Sequence, residues 1–126
     1  MKLFKRTAGA DSVGARMEEA AARYLQAAGL TLIERNFRSR RGEIDLIARD
    51  EDTVVFAEVR YRRSDRFGSA GATVDARKQQ KLLATAHSYL QQKKLDCPCR
   101  FDVIAIDGAT DGEGQNIQWI KNAFGA

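Results

Sequence analysis

The feature that most constrains this chain is a pair of apolar, strand-like segments that carry acidic residues inside them. Residues 43–48 (EIDLIA) and 53–60 (TVVFAEVR) flank the polar turn 49–52 (RDED). Runs rich in Ile, Val and Phe around a short polar turn are typical of a β-hairpin. A symmetric turn pairs Asp45 with Glu58 and Glu43 with Arg60. The sequence therefore predicts a sheet with opposed acids in an otherwise apolar region.

Strand periodicity predicts which side chains share a face. Side chains alternate along a strand, so positions 43, 45 and 47 are expected on one face and positions 44, 46 and 48 on the other. Because opposed carboxylates destabilise a sheet, we expect a positive charge to offset Asp45 and Glu58. Arg60 and nearby arginines pairing with the acids in a structural network is one solution, and a divalent cation is the other.

The remaining elements follow from periodicity and from turn residues. Asp11 or Ser12 is expected to cap a helix that ends at Gly29. Further elements are predicted as a strand over 31–37, a helix over about 73–94 and strands over 100–106 and 117–120. The order helix, three strands, helix, two strands favours an α/β fold in which helices cover both faces of a mixed sheet of about five strands.

Length and composition restrict the class of protein. A chain of 126 residues with 44% hydrophobic residues is expected to form one domain over 1–126, with residues 1–10 as a flexible basic tail. No apolar run is long enough to predict a signal peptide or membrane span, so a cytoplasmic location and no membrane partner are expected. Cys97 and Cys99 are too few for a zinc cage and are expected to stay reduced. His87 has no His or Cys partner nearby and is expected to be an ordinary helix residue.

The acidic hairpin itself indicates a type of chemistry. Carboxylate ligands without a nearby His or Cys suit Mg²⁺ or Mn²⁺. Mg²⁺ is commonly held by one or two carboxylates together with water and substrate phosphates. The cation reading of Asp45 and Glu58 therefore predicts phosphoryl-transfer chemistry.

The hairpin also resembles a known family. The segments Gly42-Glu43-Ile44-Asp45-Leu46-Ile47 and Phe56-Ala57-Glu58-Val59-Arg60-Tyr61-Arg62 are similar to those of the YraN family of small bacterial endonuclease-like proteins. The similarity covers nearly the whole chain, including Glu18, the 35–38 segment, Lys78 and residues 100–103. The family resembles archaeal Holliday-junction resolvases of the PD-(D/E)xK nuclease superfamily. The resemblance implies a restriction-endonuclease-like, three-layer α/β/α fold.

The resemblance implies roles for individual residues. By this resemblance, Asp45 and Glu58 are expected to be the catalytic acids and metal ligands. The Val59 carbonyl is expected to be a further ligand, and Glu18 is expected to be an additional acid near the metal. Arg60 stands where the superfamily has lysine. Arginine does not serve as a base, so Arg60 is expected to position water or neutralise transition-state charge. Lys78 or Lys81 at the start of the second helix is an alternative source of an ammonium group.

Basic residues flank the predicted site in two loops. They are Arg35, Arg38, Arg40 and Arg41 in one loop and Arg60, Arg62, Arg63 and Arg66 in the other. Solvated surface charge is one explanation for such clusters. The other is contact with nucleic acid phosphates, for which we select Arg38, Arg40, Arg41, Arg62, Arg63 and Lys78.

These observations predict a function and leave alternatives. The prediction is a Mg²⁺- or Mn²⁺-dependent DNA endonuclease that hydrolyses phosphodiester bonds in branched or otherwise structured DNA, in repair or recombination. One alternative is a nucleic-acid-binding module that keeps the nuclease scaffold without chemistry. Another is a protein–protein scaffold with an ion-paired sheet face. A homodimer is an alternative to a monomer because resolvase relatives cut symmetrically as dimers.

Overall fold

The computed structural model describes residues 12–62, 74–108 and 116–125, which form two helices and five strands. The elements are α1 (Val13–Ala27), β1 (Thr31–Ser39), β2 (Gly42–Asp50), β3 (Thr53–Arg62), α2 (Ala76–Lys93), β4 (Cys99–Asp107) and β5 (Asn116–Phe124). Their order is the predicted one, and all five strands extend beyond the predicted bounds. The predicted tail over 1–10 lies outside the described residues.

The five strands form one mixed sheet in the order β1-β2-β3-β4-β5. Strands β3 and β4 are parallel, and the other neighbouring pairs are antiparallel. Parallel neighbours need a crossover connection, and α2 lies within the segment that joins them. The predicted mixed sheet is confirmed.

Helix α1 covers one face of the sheet. The Ser12 side chain caps the helix by accepting a hydrogen bond from the Ala15 N–H, which confirms one of the two predicted caps. Gly29 follows the helix with a φ of 104°, a conformation that glycine adopts readily. The buried face of α1 packs on one side of β2, β3 and β4, in a cluster that contains Met17, Leu25, Leu46, Val55 and Ile104.

Helix α2 covers the opposite face. Asp75 caps it by accepting a hydrogen bond from the Lys78 N–H at 2.8 Å. Its buried side chains pack in a second cluster that contains Leu82, Tyr89, Phe37, Phe56 and Val103. The sheet thus lies between two helices, and the predicted three-layer α/β/α architecture is confirmed.

The β2–β3 hairpin has the predicted register and one departure from the predicted faces. Paired residues run from Asp50 with Thr53 to Leu46 with Ala57, the register that places Asp45 opposite Glu58. Ile44, however, packs in the α2-side cluster, whereas Leu46 packs on the α1 side. The predicted shared face of Ile44, Leu46 and Ala48 is therefore wrong. The regular pairing between β2 and β3 ends at Leu46, and strict alternation of the β2 side chains ends at the same place.

A candidate acidic site between the two helices

The candidate site begins where the β2–β3 ladder ends. One carboxylate oxygen of Asp45, Oδ2, accepts a hydrogen bond of 2.8 Å from the Val59 N–H. A side chain of β2 thus accepts the hydrogen bond of a backbone N–H on β3, where the ladder would use a backbone carbonyl. This contact holds the Asp45 carboxylate between the two strands and fixes its orientation.

Other carboxylates surround Asp45. Burial, together with the negative charge of Glu58, raises the pKa of Asp45 to about 8 from an ordinary value of 3.8. The charges of Glu18 and Glu43 act in the same direction, and the Val59 hydrogen bond acts against them. The site therefore concentrates more negative charge than its own hydrogen bonds compensate.

Glu18 reaches this site from α1. It lies one residue after the buried Met17, and its own carboxyl is half-buried. Burial raises the pKa of Glu18, and its hydrogen bonds with Asn36 and Asp45 oppose that rise. Two carboxyl groups share a hydrogen bond only when one of them holds a proton. Glu18 thus lies beside Asp45, and its predicted role as an additional acid near the metal remains a prediction.

Asn36 is a site residue for which the sequence analysis assigned no role. With its amide nitrogen facing the acids, it donates to Glu43 Oε2 at 3.1 Å and to Glu18 Oε1 at 3.2 Å. It thereby links β1, β2 and α1. The only sequence signal is an Asn inside a predicted strand, where Asn is uncommon.

Glu58 meets α2 on the other side of the sheet. Its carboxylate is buried, with a side-chain exposure of 9%, and its Oε2 lies 3.0 Å from the Nζ of Lys78. Lys78 is in the first turn of α2, where a positive charge is unfavourable for the helix dipole. Lys78 is thus a cation that offsets Glu58, and no arginine of residues 12–61, 74–108 and 116–125 forms an ion pair with this acid.

Arg60 and Val59 occupy the positions that follow Glu58 on β3. Arg60 is half-buried and forms no ion pair within residues 12–62, 74–108 and 116–125. Val59 contributes its N–H to Asp45, and its side chain packs against the α1-side core. Metal ligation by the Val59 carbonyl remains a prediction.

The predicted basic surface is described in part. Arg40 and Arg41 are exposed in the β1–β2 turn, and Arg38 lies 3.7 Å from Glu43. Arg35 pairs instead with Glu19 of α1. The side chain of Arg62 and all of Arg63 and Arg66 lie outside the described residues.

The β1–β2 turn lies against α2. A side chain at Gly42 would come within 3.0 Å of Thr85 Oγ1 and 3.7 Å of Lys81 Cβ. Gly42 also has a φ of 154°. Glycine at this position thus brings the Arg40–Arg41 turn next to the helix that carries Lys78.

The donor set fits a hard divalent cation such as Mg²⁺ or Mn²⁺. It offers carboxylate oxygens and an excess of negative charge around Asp45. Among the described residues, no group of three or more His, Cys, Asp or Glu side chains is arranged so that it could hold a metal ion. Mg²⁺ sites commonly use fewer protein ligands and take phosphate oxygens from the substrate, and metal ligation by Asp45 and Glu58 remains a prediction.

A second polar network lies away from these acids. Asp102 on β4 is fully buried and accepts hydrogen bonds from Arg100 Nε, Trp119 Nε1 and the Asn122 N–H at 3.0, 2.9 and 2.9 Å. Arg100 also pairs with Asp50 at 3.1 Å. The network joins β4 to β2 and β5 and has a structural role.

Three further predictions concern the class of protein. Cys97 and Cys99 are free thiols, as expected. His87 is an exposed residue of α2, as expected. No helix in the described part of the chain is long and apolar enough to cross a membrane.

Comparison with known proteins identifies the family. Residues 17–106 match the family described as "Uncharacterised protein family UPF0102". A UPF0102 protein of Nitrosomonas europaea is 52% identical over 115 residues, covering 91% of this chain and 95% of the relative. A UPF0102 protein of Pseudomonas syringae pv. tomato is 51% identical over 116 residues, covering 88% and 91% of the two chains. The chain therefore belongs to the UPF0102 family, the YraN group that its acidic hairpin resembles.

Proposed function

We propose that this protein is a metal-dependent DNA endonuclease that hydrolyses phosphodiester bonds in the cytoplasm. The observation that carries the proposal is the convergence of three acids and one lysine from four elements. Asp45 of β2 is near enough to Glu58 of β3 for the charge of Glu58 to raise its pKa, Glu18 reaches Asp45 from α1, and Lys78 reaches Glu58 from α2. Opposed, partly buried carboxylates are unfavourable for folding, and such arrangements are typical of functional sites.

Charge supports a divalent cation at this site. Arg35, whose charge lowers the pKa of Glu18 on the α1 side, is already paired with Glu19. Mg²⁺ or Mn²⁺ held by Asp45 and Glu58, with Glu18 assisting, would relieve the repulsion around Asp45. When bound, the cation supplies charge neutralisation at a phosphate and activation of water.

The chain's own residues have separable roles in the proposed reaction. The Val59 N–H orients Asp45 by fixing one of its carboxylate oxygens, Oδ2. The Lys78 ammonium lies beside Glu58, where it stabilises negative charge that develops on a phosphate or orients a water molecule. Arg60 neutralises charge or positions water, because a guanidinium does not act as a base.

The basic residues near the site support nucleic acid as the substrate. Arg40 and Arg41 in the β1–β2 turn and Lys78 on α2 lie on neighbouring elements, and Arg38 is exposed on β1. Such side chains bind phosphates without reading sequence. We therefore propose recognition of DNA by backbone and shape, with branched or otherwise structured DNA as the substrate class and repair or recombination as the process.

Cleavage of labelled DNA tests the proposal. Branched, single-stranded and duplex DNA are incubated with Mg²⁺ or Mn²⁺ and with the wild type, Asp45→Ala or Glu58→Ala, all purified identically. We expect metal-dependent cuts with the wild type and none with either variant, whereas DNA binding persists in both. Asp52→Ala is the matched control, because Asp52 is an exposed acid in the turn between the same two strands.

Two results would contradict the proposal. Cleavage that persists in Asp45→Ala and Glu58→Ala would come from another site or from a contaminant. An inactive wild type that binds DNA but no Mn²⁺ would favour the non-catalytic binding module instead.

A further inference from the structure

Asn36 has an unusual backbone conformation for its position. It lies in the middle of β1, between Arg35 paired with Leu46 and Phe37 paired with Ile44, yet its φ is 51°. A left-handed residue inside a strand is unfavourable for most side chains, and Asn is among the few that tolerate it. Strained backbone of this kind is commonly retained at functional sites. The register places Asn36 opposite Asp45.

The Asn36 side chain makes a specific pair of contacts. Its amide nitrogen has two hydrogens and two carboxylate acceptors, Glu43 Oε2 at 3.1 Å and Glu18 Oε1 at 3.2 Å. Glu18 belongs to α1 and Glu43 to β2. A hydroxyl side chain has only one hydrogen to donate, and an ionised carboxylate has none. The amide is therefore well suited to hold two acids near a third.

A comparison within the chain separates the backbone from the side chain. Asn122 in β5 also has a left-handed φ, 53°. Its contact with an acid is made by its backbone N–H, which donates to Asp102 Oδ1. That contact survives any side-chain change at position 122, whereas the contacts of Asn36 do not.

We infer that Asn36 is a positioning residue, whose amide holds Glu18 and Glu43 beside Asp45, the carboxylate proposed to bind the divalent cation. The inference rests on the proposed function in one respect, because its Mn²⁺ measurement requires that the site binds a divalent cation. It adds a residue of β1 to a site otherwise built from β2, β3 and the two helices.

Mn²⁺ affinity, measured by electron paramagnetic resonance, tests the inference. In Asn36→Gly the backbone conformation remains accessible and only the amide is lost. We expect the Mn²⁺ Kd to rise about tenfold, the range seen when groups that orient metal ligands are removed. Asn122→Gly is the matched control, with the same chemical change at nearly the same φ, and its Kd should stay within about twofold of the wild type.

A double-mutant cycle separates positioning from a structural role. If Asn36 acts through Glu18, Asn36→Gly should have a smaller effect on the Mn²⁺ Kd in a Glu18→Ala background. The same four proteins are also unfolded with urea in the presence of EDTA. The midpoints of these transitions report the contact between Asn36 and Glu18 in the absence of metal. Should Asn36→Gly fail to fold, Asn36→Asp keeps the size and the left-handed tolerance of the residue but removes the donors.

The outcomes are distinct. Equal Kd values for Asn36→Gly and Asn122→Gly, or an effect of Asn36→Gly that Glu18→Ala leaves unchanged, would overturn the inference. A wild type that binds no Mn²⁺ would overturn the proposed function. In that case additive midpoints in EDTA would also overturn the link between Asn36 and Glu18, and non-additive midpoints would support it.

Discussion

The Nζ of Lys78, on α2, lies 3.0 Å from Oε2 of Glu58, on β3. This ion pair brings an ammonium group to the site from a different element than the strand on which the superfamily pattern has its lysine. Arg60 occupies that strand position. In the proposed reaction, α2 therefore carries the ammonium group that Arg60 lacks.

Replacing Lys78 is expected to reduce cleavage strongly. Lys78→Met should lower kcat about 100-fold, because one charged group that stabilises a transition state contributes on that scale. Lys93→Met, which removes the same charge near the other end of α2, should keep wild-type kcat. Single-turnover cleavage with Mg²⁺ measures both variants. An unchanged rate in Lys78→Met would show that Arg60 or the cation suffices.

The stability of the metal-free protein should depend on Asp45 ionisation. The pKa of Asp45 is about 8 in the folded protein, against an ordinary 3.8, so the folded state holds a proton that the unfolded chain releases. The contribution of Asp45 to the free energy of unfolding is therefore most favourable below about pH 4, and it falls as the pH rises toward 8. Asp45→Asn removes this penalty and should stabilise the protein by on the order of 1–3 kcal/mol at pH 8.

Urea unfolding in EDTA at pH 5 and at pH 8.5 measures the effect of Asp45→Asn. The gain over the wild type should be larger at the higher pH, because the wild-type penalty grows across this interval. Asp52→Asn in the exposed β2–β3 turn is the control. An equal gain at both pH values would indicate that Asp45 does not titrate in this range.

Binding of a divalent cation should release a proton from Asp45. Since the Asp45 pKa lies near 8, the carboxyl is largely protonated at pH 7 in the absence of metal. Calorimetry in buffers of different ionisation enthalpy should detect release of up to about one proton per bound Mn²⁺. The Mn²⁺ affinity should rise with pH up to about 8. A pH-independent affinity would place the binding site elsewhere.

The β1–β2 turn should contribute to DNA affinity through phosphates. Replacing both Arg40 and Arg41 by Ala should weaken binding of all DNA sequences alike and reduce the slope of log affinity against log salt by about 2. Arg49→Ala is the single-charge control, because Arg49 is an exposed residue near the opposite end of β2. Fluorescence anisotropy over a range of salt concentrations measures the slope. An unchanged slope would identify these arginines as solvated surface charge.

The buried network around Asp102 should affect stability without affecting metal binding. Asp102→Ala leaves Arg100 and Trp119 without their acceptor, so we expect a loss of about 3 kcal/mol in the free energy of unfolding. The Mn²⁺ Kd should remain unchanged in the folded protein. Urea unfolding and electron paramagnetic resonance report the two quantities separately. A weakened Kd would mean that the network also shapes the acidic site.

Local patterns carried the fold prediction. The hairpin register followed from a short polar turn between apolar runs, and it is confirmed from Asp50 and Thr53 to Leu46 and Ala57. The cap of α1 depended on an equally local signal, and the mixed sheet followed from the order of the elements. These features were accessible because neighbouring residues determine them.

The details of the site depended on residues far apart in the chain. The contacts of Asn36 require α1, β1 and β2 to meet, and nothing in strand periodicity indicates its left-handed φ. The predicted face of Ile44 was wrong for a related reason. Strict alternation assumes a continuous ladder, whereas the pairing between β2 and β3 ends at Leu46. Lys78 and Lys81 were equivalent in the sequence, and the structure distinguishes them because only Lys78 pairs with Glu58 in the described residues.

The hydrogen bond between the Val59 N–H and Asp45 makes one backbone amide a natural reporter of the site. A strand amide normally reports on its own sheet, but this one has a titrating side chain as its acceptor. Its chemical shift and its hydrogen-exchange rate should follow the charge on Asp45. The site therefore contains a built-in spectroscopic probe that requires no label at the acids themselves.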